Sequence, residues 1–229
     1  MTVKDNLTAV LDRIERTARN CGRDPADIRL VAVTKTQPLA SVQQVIEAGG
    51  AHIGENYIQE ARGKIDQLSQ LPVRWHMIGH LQTNKARYAV RLFDLIHTVD
   101  SRKLAEALNR QAGKIAKQQE VLVQVNISGE HTKSGISVDQ ATELVRSIRD
   151  MPHLQALGLM TIPPFFDAPE RSRPIFRTLK QLLQHIADDL SMESHFKELS
   201  MGMTGDFEVA IEEGATMVRV GTALFGERQ

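Results

Sequence analysis

The chain has 229 residues, 41% of them hydrophobic and 24% charged; at about 100–200 residues per domain it reads as one domain, residues 1–229, with apolar content that excludes a mainly disordered chain. Lys+Arg total 28 and Asp+Glu total 28, a balance that argues against a nucleic-acid binder, which carries a basic surplus or stripe. The one cysteine, Cys21, has no partner for an intramolecular disulfide and suits a reducing compartment.

Residues 4–20 predict an amphipathic helix, with Leu7, Val10, Leu11, Ile14 and Ala18 on one face. This segment is neither a signal peptide nor a membrane span, so the expectation is a soluble, cytoplasmic protein that avoids membranes. Gly22 and Pro25 stop the helix. Short apolar runs then alternate with helical stretches. The runs are Ile28–Lys35, His52–Glu55, Arg74–Gly79, Leu95–Asp100, Glu120–Ser128, Leu154–Pro163, Glu198–Met203 and Thr216–Gly221. The helices between them are Ala40–Ala48, Tyr57–Leu68, Lys85–Leu92, Arg102–Lys117, Val138–Asp150, Ile175–Leu190 and Phe207–Glu213, with a short turn after the last strand.

Strict alternation implies parallel strands joined by right-handed crossovers. Eight of them in a chain of this size fit a closed (β/α)8 barrel with an extra N-terminal helix. An open doubly wound sheet is the alternative, but its strands would be apolar on both faces. The fifth run instead places Val121, Val123 and Val125 on one face and Leu122, Gln124 and Asn126 on the other. The widest irregular stretch, Pro163–Pro174, reads as a surface loop.

In such a barrel, chemistry sits where strands end. Lys35 closes the apolar run Ile28–Val33. Partial desolvation favours a neutral lysine amine, the form that condenses with an aldehyde, although most lysines just past a strand are merely solvated. At the last two strand ends, Ser200, Gly202 and Thr204 and then Gly221 and Thr222 are small or hydroxyl-bearing. They suit either an anion cradle or ordinary tight turns. Together, lysine and cradle suggest a phosphorylated aldehyde or ketone ligand. His76 and His80 are not expected to bind metal, since their spacing works only on a helix. Cys21 is expected to be structural, with no base beside it.

These strand ends resemble the pyridoxal phosphate homeostasis family. The resemblance rests on Val31–Thr36, Gly54–Glu60, Trp75–Lys85, Gln124–Ser128, Gly158–Met160, Leu199–Asp206 and Val218–Gly226, seven stretches in order over nearly the whole chain. Met77 stands where Phe is common, and Thr204 where Ser is usual. The resemblance implies a barrel like the N-terminal domain of alanine racemase, holding pyridoxal 5′-phosphate (PLP) as a Schiff base on Lys35. It implies that Ser200, Gly221 and Thr222 hold the phosphate, that Arg219 faces the pyridine nitrogen, and that Asn56 and Met160 line the ring pocket.

An arginine there can only donate, which keeps the ring nitrogen unprotonated and weakens it as an electron sink. Racemisation also needs a second acid/base group, and the only tyrosines are Tyr57 and Tyr88. In alanine racemase that group comes from a C-terminal domain, which is not expected here because the sequence ends just past strand eight. The expectation is therefore a monomeric, non-catalytic PLP carrier that buffers the cofactor or delivers it to apo PLP-dependent enzymes. A weak amino-acid racemase is the alternative, and a Schiff-base aldolase is a more distant one.

Overall fold

A computed structural model describes residues 2–130 and 134–226. The chain opens with helix α1 (Val3–Asn20) and then alternates: β1 (Arg29–Val33), α2 (Leu39–Glu47), β2 (His52–Glu55), α3 (Ile58–Leu68), β3 (Arg74–Met77), α4 (Ala86–Leu92), β4 (Leu95–Val99), α5 (Arg102–Gly113), β5 (Gln119–Gln124), α6 (Val138–Arg149), β6 (Leu154–Met160), α7 (Arg173–Leu190), β7 (Glu198–Ser200), α8 (Phe207–Glu212), β8 (Met217–Val220) and α9 (Thr222–Phe225). The strands pair in sequence order into one closed ring. Its seam joins β1 to β8 in parallel, with Val31 opposite Arg219 and Ala32 opposite Val220. The (β/α)8 barrel expected from alternation is the fold observed.

The strands stop earlier than their apolar runs. Residues 34–35, 78–79, 125–128, 161–163 and 201–203 lie beyond the strand ends, where they build the mouth. The backbone forces some of these exits. Gly202 adopts φ +89°, and a Cβ there would sit 2.5 Å from the Ala210 side chain, so only glycine lets the chain leave β7 this close to α8. Helix α7 starts two residues earlier than expected, because Pro174 fits its first turn, where a missing N–H costs nothing.

Apolar side chains divide between two cores. Val121, Val123 and Val125 point outward into the large core between sheet and helices. Leu122 points inward, with Val31, Leu95, Met160 and Met217. The alternation read from the fifth strand is therefore real, and the lumen is packed rather than open.

Helix α1 begins with a reciprocal cap in which the Thr2 side chain accepts from the Asp5 amide and the Asp5 carboxylate accepts from the Thr2 amide. It buries Leu7, Val10, Ile14 and Ala18 against α2, α8 and α9. The last two helices are short, and α1 packs over both of them. Arg13 pairs with Glu208 at 2.6 Å and lies over the Phe207 ring. Asn6 donates to the Leu224 carbonyl at 2.9 Å. Because Ile14 is buried where α1 packs on its neighbouring helices, Ile14→Ala is expected to cost about 2–4 kcal/mol by leaving a cavity. Urea unfolding checks this, and a loss below about 1 kcal/mol would show that α1 is peripheral to the core.

Candidate functional site

A cavity of about 300 Å³ opens at the C-terminal mouth of the barrel, lined among others by Val33, Lys35, Thr204, Arg219, Gly221 and Thr222. Its rim includes Phe165, which is 91% exposed. Lys35 lies two residues beyond β1 rather than on it, in a turn closed by the Gln37 amide donating to the Thr34 carbonyl at 3.0 Å. The next residue, Thr36, has φ +63°, a left-handed conformation that is rare for a β-branched side chain. Its surroundings hold it there: its amide donates to Glu60 Oε1 at 2.6 Å.

Beneath this turn lies a buried ionic cluster. Lys64 Nζ donates to the Thr34 carbonyl at 2.6 Å, to Glu55 Oε1 at 2.7 Å and to Glu60 Oε1 at 2.6 Å. The Thr34 hydroxyl donates to the same Glu55 oxygen at 2.6 Å. Burial raises the Glu55 pKa, and the bonds from Lys64 and Thr34 oppose that rise. The cluster ties the lysine turn to both β2 and α3, so Lys35 is carried on a backbone with little freedom to move.

Arg219, on β8, is 4% exposed. Its Nη1 donates to Ser200 Oγ at 2.7 Å and its Nη2 to the Thr161 carbonyl at 2.9 Å. Among the described residues no carboxylate forms an ion pair with it. Burial lowers its pKa to about 10, with the Asp206 charge acting the other way, so it stays a cation at neutral pH. Asp206 shapes the loop after β7 by accepting from the Met203 amide at 2.7 Å and from the Ser172 hydroxyl at 2.9 Å. Thr204 and Gly205 follow on that loop and line the cavity. A Cβ on Gly221 would sit 3.3 Å from the Val33 side chain, so a larger residue just past β8 would press on the end of β1.

The structure thus brings Lys35, Arg219, Gly221 and Thr222 into one cavity, and not the other three expected residues. Ser200 is fully buried below it, with its hydroxyl committed to Arg219 and His97. Met160 packs in the lumen. Asn56 is half-buried at the end of β2 and is not among the cavity's lining residues. Tyr57 is 57% exposed at the start of α3 and is not among the cavity's lining residues.

The sequence reading missed Lys64 and a row of lumen histidines. His52, His76 and His97 come from β2, β3 and β4. They are linked Nδ1 to Nε2 at 3.0 Å (His52 to His76) and 2.8 Å (His76 to His97), and His97 Nδ1 lies 2.8 Å from Ser200 Oγ. Three histidines on adjacent strands were the available signal. His80 instead lies in the loop after β3, 3.8 Å from Asp100, so it does not join His76.

The family described as alanine racemase, N-terminal domain, matches residues 6–229. A protein of Aquifex aeolicus named pyridoxal phosphate homeostasis protein is 41% identical over 229 residues, covering all of both chains. One of the same name from Escherichia coli K12 is 41% identical over 99% of this chain and 97% of its own. The chain belongs to the pyridoxal phosphate homeostasis family. The resemblance read from its strand ends is borne out. The solved structure of PipY from Synechococcus elongatus with PLP bound superposes with a TM-score of 0.83 at 36% identity, covering 93% of this chain and 100% of that one. An alanine racemase of Clostridium difficile shares the fold alone, with a TM-score of 0.72 at 16% identity, over 98% of this chain and 57% of that one.

Two outcomes are expected. Lys64→Met strands the Glu55 carboxyl and should cost about 3–5 kcal/mol, part of which adding Glu55→Gln recovers; urea unfolding of both variants measures it, and a loss under about 1 kcal/mol would mean the cluster does not hold the turn. The second concerns pH. Burial depresses His52 to about 4 and holds His76 and His97 well below the usual histidine value. The unfolded chain therefore binds more protons than the folded one below about pH 6.5. Stability is complete above that value and falls as pH drops, by up to about 1.4 kcal/mol per pH unit for each buried histidine. The raised carboxyls of Glu55 and Asp100 act in the opposite sense. A urea midpoint that stayed constant between pH 7 and pH 5 would contradict the burial of these rings as neutral groups.

Proposed function

We propose that this protein binds PLP and serves its intracellular homeostasis, holding the cofactor on Lys35 and releasing it again, with no catalysis of its own. The observation that carries the reading is one cavity containing both a lysine amine and a buried arginine that no carboxylate neutralises among the described residues. When bound, PLP supplies an aldehyde that condenses with an amine and an electron-withdrawing ring. Lys35 supplies the amine. Arg219 presents donors only, which suits an unprotonated ring nitrogen. Gly221 and Thr222, with Thr204 and the first amides of α9, suit the phosphate, since small residues let backbone N–H groups approach an oxyanion. Ser200 serves this site by holding Arg219 rather than by touching the phosphate. Relatives named for PLP homeostasis, at 41% identity over the full chain, support the same reading.

What faces the lysine supports a reading without catalysis. Among the described cavity residues the ionisable side chains are Lys35, Asp206 and Arg219. The Asp206 carboxylate is occupied by the Met203 amide and the Ser172 hydroxyl, so none of them supplies the second acid/base that racemisation requires. The open mouth beside Phe165 lets the cofactor exchange, with apo PLP-dependent enzymes as recipients. The whole chain acts as one barrel domain. Exposed large apolar side chains among the described residues are scattered over Leu11, Tyr57, Ile115, Ile162 and Phe165, which suits a monomer. No helix among the described residues is long and apolar enough to cross a membrane. The lone cysteine supports a cytoplasmic location.

Purified protein given PLP is expected to turn yellow. Hydride reduction followed by peptide mass spectrometry should then place one pyridoxyl group on Lys35, and Lys35→Ala should abolish both. In deuterated water the loaded protein should exchange the α-proton of alanine no faster than free PLP. An adduct on another lysine would overturn the assignment, and exchange well above free PLP would favour the racemase reading.

A further inference from the structure

The row of rings through the lumen has a direction that the donor rules fix. Arginine can only donate. Arg219 Nη1 therefore gives its hydrogen to Ser200 Oγ. Ser200 is fully buried, and its hydroxyl has one other partner, His97 Nδ1. A buried hydroxyl that accepted from both sides would leave its own hydrogen unmatched, which is costly. The hydroxyl consequently donates to His97 Nδ1. A neutral imidazole that accepts at Nδ1 carries its hydrogen on Nε2. His97 Nε2–H then donates to His76 Nδ1, and His76 Nε2–H donates to His52 Nδ1. The chain ends at His52, half-buried at the start of β2, on the N-terminal side of the barrel.

Every ring in this series turns its acceptor nitrogen toward Arg219 and its N–H away from it. Aligned dipoles of this kind stabilise a cation without neutralising it, as a carboxylate would. We infer that Ser200, His97, His76 and His52 form a one-way relay that positions Arg219 and keeps its full charge and remaining N–H groups available to a ligand acceptor in the cavity. Ser200 and the three histidines are positioning residues that act through Arg219. The direction of the relay is a property of the protein alone. The ligand acceptor, an unprotonated aromatic nitrogen, rests on the PLP reading above. The arrangement selects a ligand with a bare ring nitrogen over one that carries a hydrogen there, because a donor-only partner cannot accept.

The deciding experiment is nitrogen NMR on ligand-free protein labelled with 15N-histidine. His97 and His76 are expected with hydrogen on Nε2 and a bare Nδ1. In Ser200→Ala, which removes one oxygen and leaves the backbone unchanged, His97 should lose that fixed state. A second arm adds PLP. Ser200→Ala should weaken binding about tenfold, the size of one lost bond to a charged group, and should shift the absorbance maximum of the bound cofactor. The hydride-trapped adduct on Lys35 should persist, which separates misplaced arginine from lost attachment. Hydrogen on Nδ1 of His97 would overturn the relay. So would a Ser200→Ala protein whose affinity and spectrum match the wild type. A wild-type protein that shows the stated histidine hydrogens yet binds no PLP would sink the cofactor reading and leave the relay standing.

Discussion

The pairing of β1 with β8 is the constraint on which the site depends. Lys35 follows β1 and Arg219 lies on β8, 184 positions later. In a sheet left open in the same order these strands would be the two outer edges. Ring closure sets Val31 opposite Arg219, and only then do the lysine turn and the arginine share a cavity. The packing around the seam serves that closure. Helix α1 packs on α2, α8 and α9, the helices that adjoin β1 and β8 in the chain. Gly221, just past β8, leaves room for Val33 at the end of β1 on the mouth side.

The two cationic residues of the site are supported in different ways. Lys35 is held from the helix side, by a cluster in which Lys64 and Glu60 on α3 grip the backbone on either side of it. That backbone carries strain at Thr36, and the surrounding bonds over-determine it. Arg219 is held from inside the barrel, by Ser200, the Thr161 carbonyl and the histidine row. A turn that presents an amine must be fixed in position, whereas its charge can vary. A guanidinium that presents donors must keep its charge. A carboxylate would position it equally well but would cancel the property the site uses.

Much of this was legible in the sequence, and the limits have physical causes. Alternating short apolar runs and helical stretches gave eight strands in a closed parallel ring. The period-2 pattern of Val121–Gln124 separated lumen from outer core. The mouth residues Lys35, Gly221 and Thr222 followed from their positions just past strand ends. Ser200 is expected at the phosphate and lies below the cavity; a small hydroxyl residue at a strand end looks the same whether it faces the mouth or the lumen. In β7, which ends at Ser200, the face is set by register with β6 and β8, and register is not local information. Lys64 did carry a signal: it falls on the apolar stripe of Ile58, Ala61 and Leu68, where a charged residue must find partners once buried. The histidine row was hidden by distance along the chain, since His97 and Ser200 are 103 residues apart.

A barrel lumen usually gains stability by filling with branched apolar side chains. Here Val31, Leu95, Leu122, Met160 and Met217 fill part of it, and a series of three imidazoles, a hydroxyl and a guanidinium runs beside them. Each member of that series is tolerated because it has a partner, and the set is tolerated because the partners are linked without a break. Removing a middle member would leave two buried groups unmatched, not one. This explains why such a lumen is expensive to alter piecemeal. It also explains why the rings are best kept neutral: a second cation beside Arg219 would face it in a medium that screens poorly. Arg219 is a positive charge with a polarised tail, and it lies where the proposed cofactor would need a donor.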